Sequence, residues 1–398
     1  MSELSYLEKL LDGAEVEWFP LDAVAKIKHG KDWKGLGEGT VPVYGSGGIM
    51  GYVDKYSYDK PTVLIPRKGT ITNVFYVDTP FWNVDTIYYT DIEISKVLPK
   101  YFYHFIKTID LMALDTGSGR PSLTQAILNR LLIPIPCPDN PEKSLAIQSE
   151  IVRILDKFTA LTAELTAELT AELTMRKKQY NYYRDQLLSF EEGAAPFYPL
   201  GQKEVGEFIR GGSFQKKDFT KSGIGCIHYG QIFTHYGTYA NKTKTFVSES
   251  LAQKCRKAKT GNLVIATTSE NDDDVCKAVA WLGTEDIAVS SDACIYRHNL
   301  NPKYVSYFFQ TESFQSQKRQ YITGTKVRRV NADNLAKILI PVPSQEEQTR
   351  IVDILDKFDL LTSSISQGLP REIELRQKQY EYYRDLLFSF PRPETASN

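Results

Sequence analysis

The feature that most constrains this chain of 398 residues is an internal repeat with an offset of 200 positions. The segment IVRILDKF at residues 151–158 returns as IVDILDKF at 351–358, and residues 176–190 return at 376–390 with 11 of 15 positions identical. A matching LIPIP or LIPVP segment precedes each copy, and the tripeptide PKY stands further upstream in both. The chain therefore consists of two copies of one plan, a variable globular region followed by a long helix.

The spacing of apolar residues predicts the two helices. Apolar side chains recur at three- and four-residue intervals, which places them on one helix face. They are Ile151, Ile154, Leu155, Phe158, Leu161 and Leu165 in the first copy, and Ile351, Ile354, Leu355, Phe358, Leu361 and Ile365 in the second. Each face needs a partner, so we expect the helices to pair in the manner of a coiled coil. A helix of roughly forty residues or more spans about 65 Å and serves as a spacer.

Three consecutive TAEL units occupy residues 162–173 of the first helix. They begin and end at Thr162, Leu165, Thr166, Leu169, Thr170 and Leu173. One interpretation is a stable helical linker, because Ala, Glu and Leu favour helices. The other is a ruler, in which each unit adds ~6 Å between whatever the helix separates. The second copy lacks these units, and its Gly368 and Pro370 predict a helix break with Pro370 in the first turn of a new helix.

The two globular regions, residues 18–140 and 197–343, have the composition of α+β domains. Short β-rich runs lie between Gly, Pro, Asp and Asn turns. These runs are residues 62–65, 73–77, 86–89, 262–265 and 276–281. One helix is predicted in each region, near residues 99–111 and 302–318.

The distribution of charge changes what the whole-chain value suggests. The formal net charge of −1 argues against a nucleic-acid partner when it is taken alone. By segment, residues 197–343 carry +7, residues 18–140 carry +1, and the remaining residues carry −9. The second globular region is therefore basic, whereas the helices and tails are acidic.

Signatures of catalysis and of metal binding are missing from the sequence. The chain has no GxxxxGK[S/T] phosphate loop, no dinucleotide fingerprint and no [N/D]PP[Y/F] methyltransferase motif. Its five cysteines and five histidines are scattered without metal-ligand spacing. No run of ~18 apolar residues suggests a membrane span, so we expect a soluble, cytoplasmic protein that is not an enzyme.

The repeat pattern carries a resemblance to a known family. Two variable regions, two long repeated helices and TAEL units followed by RKKQYxYYRD resemble the specificity subunit of type I DNA restriction-modification enzymes, in the group with TAEL spacer repeats. The resemblance covers essentially the whole chain. Residues 6–11 with 19–21 echo residues 187–190 with 198–200, as the circular organisation of this family implies.

The resemblance implies an architecture and a set of partners. It divides the chain into an N-terminal piece of the circular repeat (1–17), target recognition domain 1 (18–140), a central helical spacer with the TAEL repeats (141–196), target recognition domain 2 (197–343) and a C-terminal helical spacer (344–398). Each recognition domain would read one half of a split, asymmetric site in double-stranded DNA. The helices would pair antiparallel, set the spacer and dock two methylation subunits, which motor-nuclease subunits would join. AdoMet, ATP and Mg²⁺ would be bound by those partners.

Candidate DNA-binding residues are the polar and basic side chains of Gly-rich connections that occupy equivalent places in both copies. Arg and Lys contact phosphates, while Arg, Asn, Gln, Ser and Thr can read base edges. In the first domain we predict Lys28, Lys31, Tyr44, Ser46, Arg67, Lys68 and Arg120. In the second we predict Ser213, Gln215, Lys216, Tyr229, Gln231, Thr268, Ser269, Lys326, Arg328 and Arg329. The alternative for any single loop is an ordinary solvated turn.

Two other functions compete with this hypothesis. A freestanding nuclease or methyltransferase with recognition domains attached would need catalytic motifs, and those motifs are missing. A coiled-coil adaptor that does not bind DNA would show no salt-dependent duplex binding, even with methylation subunits present.

Overall fold

The chain folds into two compact units, each built from segments that are distant in sequence. The structure is a computed structural model, and it describes residues 6–117, 119–191, 193–363 and 368–391. Unit 1 joins the chain up to Ala167 to the chain from Glu374 onward, and unit 2 is the chain from Glu168 to Ile373. The C-terminal segment therefore belongs to the unit that contains the first globular region.

Unit 1 contains three small sheets and several helices. Its elements are α1 (Tyr6–Leu11), β1 (Val16–Pro20), α2 (Leu21–Val24), β2 (Ala25–His29), β3 (Val41–Gly45), β4 (Gly48–Val53), β5 (Thr62–Pro66), β6 (Phe75–Val77), β7 (Trp82–Asn83), β8 (Ile87–Ile92), α3 (Pro99–Ile106), α4 (Gln125–Asn129), β9 (Leu132–Pro136), the first part of α5 (Pro141–Leu187) and most of α12 (Leu369–Leu387). The strand orders are β2-β8-β5-β6, β4-β3-β7 and β1-β9. Strand β5 is buried at all five positions, which explains its continuous apolar character.

Both ends of unit 1 enter one hydrophobic core. Leu7 of α1 and Phe388, which comes directly after α12, are buried in the same cluster as Ile151 of α5. The rings of Phe388 and Tyr101 lie 5.2 Å apart, and the indole Nε1 of Trp18 donates to the carbonyl of Pro391 (2.8 Å). These contacts place the N-terminal piece and the C-terminal segment in the same unit, as circular organisation requires.

Unit 2 is larger and has two principal sheets. Its elements are the rest of α5, β10 (Phe197–Pro199), β11 (Gly206–Arg210), a 3-10 turn (Lys216–Asp218), β12 (Ile224–Ile227), α6 (Tyr229–Thr234), β13 (Tyr239–Ala240), β14 (Thr245–Val247), α7 (Glu249–Ala252), β15 (Lys257–Ala258), β16 (Leu263–Ala266), β17 (Thr268–Ser269), β18 (Ala278–Trp281), β19 (Ile287–Val289), β20 (Ala293–His298), α8 (Pro302–Phe308), α9 (Glu312–Arg319), β21 (Arg328–Arg329), α10 (Ala332–Leu335), β22 (Leu339–Pro341) and α11 (Gln345–Ser363). The strand orders are β11-β20-β16-β18-β13, β14-β12-β19-β15, β17-β21 and β10-β22.

The repeated sequence segments form equivalent structures in the two units. In unit 1 the first strand, β1, pairs antiparallel with β9, which contains the LIPIP segment. In unit 2, β10 pairs in the same way with β22, from the LIPVP segment. Each pair brings the start and the end of a globular region together, so each region leaves its helices and returns to them at one place.

Helices of both copies contact each other within each unit. In unit 1 the ring of Phe158 on α5 stacks on that of Tyr383 on α12, 5.2 Å away, and Thr159 bonds to the hydroxyl of Tyr380. The chain positions of these partners run in opposite order, which is the antiparallel arrangement. In unit 2 the rings of Tyr183 on α5 and Phe358 on α11 stack at 5.7 Å, the reciprocal of the first pair.

The helices also depart from the simplest sequence prediction. Helix α5 is continuous over 47 residues, whereas the second copy forms α11 and α12 of 19 residues each. Gly368 precedes α12 with φ +80° and Pro370 lies in its first turn, so the predicted break is confirmed; Ile365 lies outside the described residues. The single helix predicted near residues 302–318 is wrong: Thr311 caps a new helix there, because its side chain accepts from the amide of Phe314. None of the helices in the described ranges is long and apolar enough to cross a membrane.

Candidate DNA interface

The candidate interface residues belong to globular regions that are fixed to the helices through the repeated motifs. In unit 1 the buried Gln148 accepts from the amide of Leu98 (2.8 Å), at the start of α3. Further along α5, Asp156 accepts from Lys100 (2.6 Å) and from His104 Nε2 (3.1 Å). Both residues of α5 therefore hold the same helix of the globular region.

Unit 2 repeats this anchor at the same offset of 200 residues. Gln348 of α11 is buried and accepts from the amide of Asn301 (2.8 Å), immediately before α8. Asp356 accepts from Lys303 (2.5 Å) and from the hydroxyl of Tyr307 (2.7 Å). The lysine of the PKY tripeptide is thus a helix anchor in both copies.

Electrostatics of the anchors follow from burial and from these bonds. Burial opposes ionisation of Asp156, but the hydrogen bonds from Lys100 and His104 prevail and lower the pKa of that carboxyl. Burial lowers the pKa of His104, and it raises the pKa of Tyr307 far above its usual value, assisted by Asp356. The tyrosine of each PKY tripeptide completes the anchor, because Tyr101 and Tyr304 are fully buried and donate to backbone carbonyls at 2.8 and 2.9 Å.

Away from the anchor, three connections of unit 1 meet around the end of β5. The amide of Arg67 donates to the carbonyl of Thr86 (2.9 Å), in the turn before β8. The carbonyl of Arg67 in turn accepts from the amide of Leu123 (2.8 Å). Lys68 forms a β-bridge with Ser122, which ties the connection after β5 to the segment before α4. Three segments that are far apart in sequence therefore form one surface.

Unit 2 builds the same backbone framework with other side chains. The amide of Thr267, after β16, donates to the carbonyl of Asp292 (3.0 Å), in the turn before β20. The carbonyl of Thr267 accepts from the amide of Val330 (3.2 Å), and Thr268 pairs with Arg329. We call these two arrangements the reading frameworks of units 1 and 2. Where unit 1 has Arg67 and the exposed Lys68, unit 2 has the partly buried Thr267 and the buried Thr268.

The structure brings together four of the seven residues predicted in unit 1. Arg67, Lys68 and Arg120 lie on the reading framework, and the amide of Ser46 joins it by donating to Thr86 Oγ1 (3.3 Å). Lys28 is exposed on β2, next to His29, whose ring lies 5.0 Å from that of Tyr88. Arg67 also lies over the ring of this tyrosine, with Cζ 6.0 Å from the ring centre.

Lys31 and Tyr44 lie elsewhere in unit 1. The amide of Lys31 donates to Asn83 (2.9 Å) and its carbonyl accepts from the indole of Trp82, so its backbone is fixed beside β7. The ring of Tyr44 packs in an aromatic cluster, 5.8 Å from Phe75 and 6.1 Å from Phe81. Burial raises the pKa of Tyr44.

The residues predicted in unit 2 fall into two groups. Thr268, Ser269, Arg328 and Arg329 form the ribbon of β17 and β21, and the exposed Lys326 precedes it. This ribbon borders a cleft of about 320 Å³ that is also lined by Arg210, Tyr321, Asn331 and Asn334.

The second group surrounds the turn after β19. The amide of Tyr229 donates to Ser290 Oγ (2.9 Å), and Gly212, next to the exposed Ser213, bridges to Ser290. Gln215 and Lys216 are exposed where the 3-10 turn begins. Gln231 is buried, accepts from the amide of His228 (3.0 Å) and donates to Thr245 (3.0 Å), so its amide is used within the fold. Burial, with Lys216 nearby, lowers the pKa of His228.

Sequence reasoning missed the turns that join the connections. Thr86 in unit 1 and residues 290–292 in unit 2 stand between two buried strands, and their backbone atoms hold the loops described above. The Asn73 side chain also donates to the carbonyl of Ser46 (3.2 Å). In both copies a polar turn residue stands directly before a buried strand, and this pattern could have identified the turns from the sequence.

Comparison with known proteins identifies the family. The family model for the type I restriction modification DNA specificity domain matches residues 14–175 and again residues 200–375. This chain belongs to the type I restriction-modification specificity family. It is 42% identical to the EcoR124I/EcoR124II specificity subunit of Escherichia coli, with all of both chains covered, and 33% identical to the EcoprrI specificity subunit of Escherichia coli over 92% of this chain and 93% of that one.

One solved structure concerns the complex assembly and conformational transition of the type I R-M system, and it contains a chain with the same fold as this protein. Its TM-score is 0.63 at 14% identity, and the match covers 94% of this chain and 97% of that chain. The relatives are named specificity subunits, and such subunits of type I systems are non-catalytic and are not expected to bind a cofactor. Among the residues that the structure describes, no group of His, Cys, Asp or Glu is placed to hold a metal ion.

Proposed function

We propose that this chain is the DNA-recognition subunit of a type I restriction-modification complex. Residues 18–140 and 197–343 would be its target recognition domains, each reading one half of a split, asymmetric site in double-stranded DNA. The observation that carries the proposal is the pair of reading frameworks: the same backbone hydrogen bonds are built twice, with different side chains on each. Two frameworks of one kind suit two half-sites, and unlike side chains suit unlike bases.

Charge and exposure favour DNA as the ligand of these frameworks. Lys68 and Arg120 are exposed on the first framework, and Lys326 and Arg329 are exposed on the second. The net charge of +7 in residues 197–343 supplies an attractive field for phosphates, whereas the +1 of residues 18–140 supplies little. In the first domain, therefore, the loop cations and the partner subunits would provide most of the attraction.

The exposed aromatic residues of the repeated helices favour two copies of one protein partner. Tyr182 in unit 2 and Tyr382 in unit 1 are 200 positions apart and are 61% and 64% exposed. Equivalent, exposed aromatic side chains are suited to equivalent contacts with a partner. We propose that each helps to dock one methylation subunit, and that motor-nuclease subunits join these. AdoMet, ATP and Mg²⁺ would be held by those partners, and the complex would act on DNA in the cytoplasm.

Co-expression of the chain with its methylation subunits, followed by sequencing of methylated positions in the host genome, tests this function directly. We expect one asymmetric, split motif whose two halves are separated by an unread spacer. The chain alone and the methylation subunits alone are the controls, and neither should methylate that motif.

The competing functions give different results in the same experiment. A freestanding methyltransferase would modify DNA without added methylation subunits. A coiled-coil adaptor would bring no sequence preference to the complex, and the complex would show no binding to duplex DNA that weakens with salt. Either outcome would overturn the proposal.

A further inference from the structure

Unit 2 contains a completely buried lysine that belongs neither to the anchor nor to the reading framework. Lys318, on α9, has a relative exposure of 0%. Its Nζ donates to the carbonyls of Asp272 (2.8 Å), Asp273 (3.1 Å) and Val275 (2.9 Å). An ammonium has three protons, so these bonds use all of them. Burial lowers the pKa of Lys318, which reflects the cost of placing the charge there.

The segment held by Lys318 connects β17 to β18 in an unfavourable conformation. It ends at Cys276, a non-glycine residue with φ +71°, in the left-handed region. The side chains of Asn271 and Asp274 brace it with two bonds of 2.8 Å. Such a backbone persists only where its surroundings fix it, and the three bonds from Lys318 supply that constraint.

The same segment is also bonded to the reading framework of unit 2. The carboxylate of Asp272 accepts from Arg328 Nε (2.8 Å), and Arg328 Nη1 donates to the carbonyl of Gly324 (2.5 Å). Arg328 is paired with Ser269 in the two-stranded ribbon, next to the exposed Arg329. Two nitrogens of the Arg328 guanidinium are therefore bonded to other groups of this chain, and the side chain is 33% exposed.

We propose that Lys318, Asp272 and Arg328 form a positioning chain that fixes the ribbon of β17 and β21 for reading the second half-site. This inference rests on the proposed function and deepens it. Lys318 sets the 272–275 segment, Asp272 orients Arg328, and Arg328 holds the ribbon that presents Arg329 and Lys326. Arg328 is then a positioning residue, whereas the candidate site set includes it as a DNA contact.

Bonds within the protein also explain how an acidic segment can lie beside the proposed DNA-binding surface. Asp272, Asp273 and Asp274 would repel phosphates if they were merely solvated. Here the carboxylate of Asp272 is satisfied by Arg328, and that of Asp274 by the side chain of Asn271. A lysine is needed at position 318 because an apolar side chain would leave these three carbonyls, of which that of Val275 is buried, without this donor.

The test compares D272N with D273N in the complete complex with methylation subunits. Both variants remove one negative charge from the same exposed segment, but only Asp272 bonds to Arg328. Binding would be measured on duplexes with the mapped site and on duplexes with single base changes in either half. We expect D272N to lower discrimination about tenfold at several positions of the second half-site and to leave the first half-site unchanged. D273N should keep discrimination in both halves.

Two further variants separate positioning from direct reading and from general destabilisation. R328A should relax the same several positions as D272N, and K318M combined with D272N should be no worse than the more severe single variant. The proposal is overturned if D272N and D273N behave alike, or if R328A relaxes one base position while D272N relaxes none. If K318M does not fold, the comparison of the two aspartate variants still decides. A wild-type complex without any sequence preference would instead refute the proposed function itself.

Discussion

At the scale of single residues, His298 is one of the described residues that bury a side-chain polar atom without a hydrogen-bond partner. Its Nδ1 accepts from the amide of Leu300 (3.2 Å), whereas its Nε2 is buried without a hydrogen-bond partner. Burial lowers the pKa of His298 to about 4, so the ring is neutral in the folded protein at pH 7. In the unfolded chain the same ring has an ordinary pKa of about 6.5.

The difference between these two values predicts how stability depends on pH. Between pH 6.5 and pH 4 the unfolded chain binds a proton at His298 and the folded chain does not, so acidification favours unfolding. We expect this residue to remove on the order of 2 kcal/mol from the free energy of unfolding between pH 7 and pH 5. Urea denaturation at the two pH values would measure it.

The variant H298N isolates this contribution. Its Oδ1 can accept from the amide of Leu300, and it does not titrate in this range. H298N should therefore lose less stability on acidification than the wild type, whatever its stability at pH 7. An equal loss in both proteins would mean that His298 is protonated in the folded state or that other groups dominate.

Single residues of the site were predictable only where the sequence signal was local. Arg67, Lys68 and Arg120 lie in Gly- and Pro-rich connections, and the structure does place them on one framework. The inward use of Gln231 depends on His228 and Thr245 of the folded domain, so no local pattern reveals it. Whether these side chains contact DNA stays a prediction.

At the scale of elements, the anchors give a structural reason for the sequence repeat in the helices. Each globular region is attached through one glutamine and one aspartate of a helix, placed at the same offset in both copies. The surfaces that carry the different candidate DNA-binding side chains are therefore attached through equivalent anchors. The loops can differ between the two copies because they take no part in the anchors.

Loss of one anchor should destabilise unit 2 without touching the reading framework. In D356N the neutral amide forms no ion pair with Lys303. It also offers the hydroxyl of Tyr307 an uncharged acceptor in place of the carboxylate. We expect a loss of about 1–3 kcal/mol in the free energy of unfolding, measured by urea denaturation of the full chain. The matched variant is D353N, because Asp353 is exposed on the same helix. Equal effects of the two variants would show that helix charge, and not the anchor, is responsible.

The elements themselves were largely predictable, and the exceptions have physical causes. The helical periodicity of residues 151–165 and the break at Gly368 are local properties of the chain, and both are confirmed. The sequence predicts one helix near residues 302–318. It is interrupted at Thr311, whose side chain accepts from the amide of Phe314 and donates to the carbonyl of Phe308, and apolar spacing alone does not show where such a cap ends one helix and begins another.

At the scale of the whole molecule, the boundary between the two units falls inside the TAEL segment. Unit 1 ends at Ala167 and unit 2 begins at Glu168, within the middle unit of the three. Helix α5 runs through this point without interruption. The exposed Glu164 and Glu168 and the half-buried Leu165 and Leu169 keep the same pattern on both sides of it. A change in the number of TAEL units is therefore a change in the length of this helix. Both the linker and the ruler interpretations predict a continuous helix, so a variant of different length is needed to separate them.

Deletion of residues 166–169 tests the ruler. Removing four residues shortens an α-helix by ~6 Å and rotates the C-terminal remainder of that helix by ~40°. One base pair of B-DNA contributes a rise of ~3.4 Å and, at about 10.5 pairs per turn, a rotation of ~34°. The rotation matches one base pair, and the translation lies between one pair and two. We therefore expect the deletion variant, mapped by methylation sequencing of the complex, to accept a spacer shorter by one or at most two base pairs with both half-sites unchanged.

A variant of equal length is the control for this deletion. T166A combined with L169M keeps the helix at 47 residues and favours helix formation equally well, so its spacer should be that of the wild type. The ruler is refuted if the deletion keeps the original spacer, since the helix would then not set the distance. A change of bases within a half-site would refute it as well, because a rigid shift between two readers leaves the surface of each reader intact.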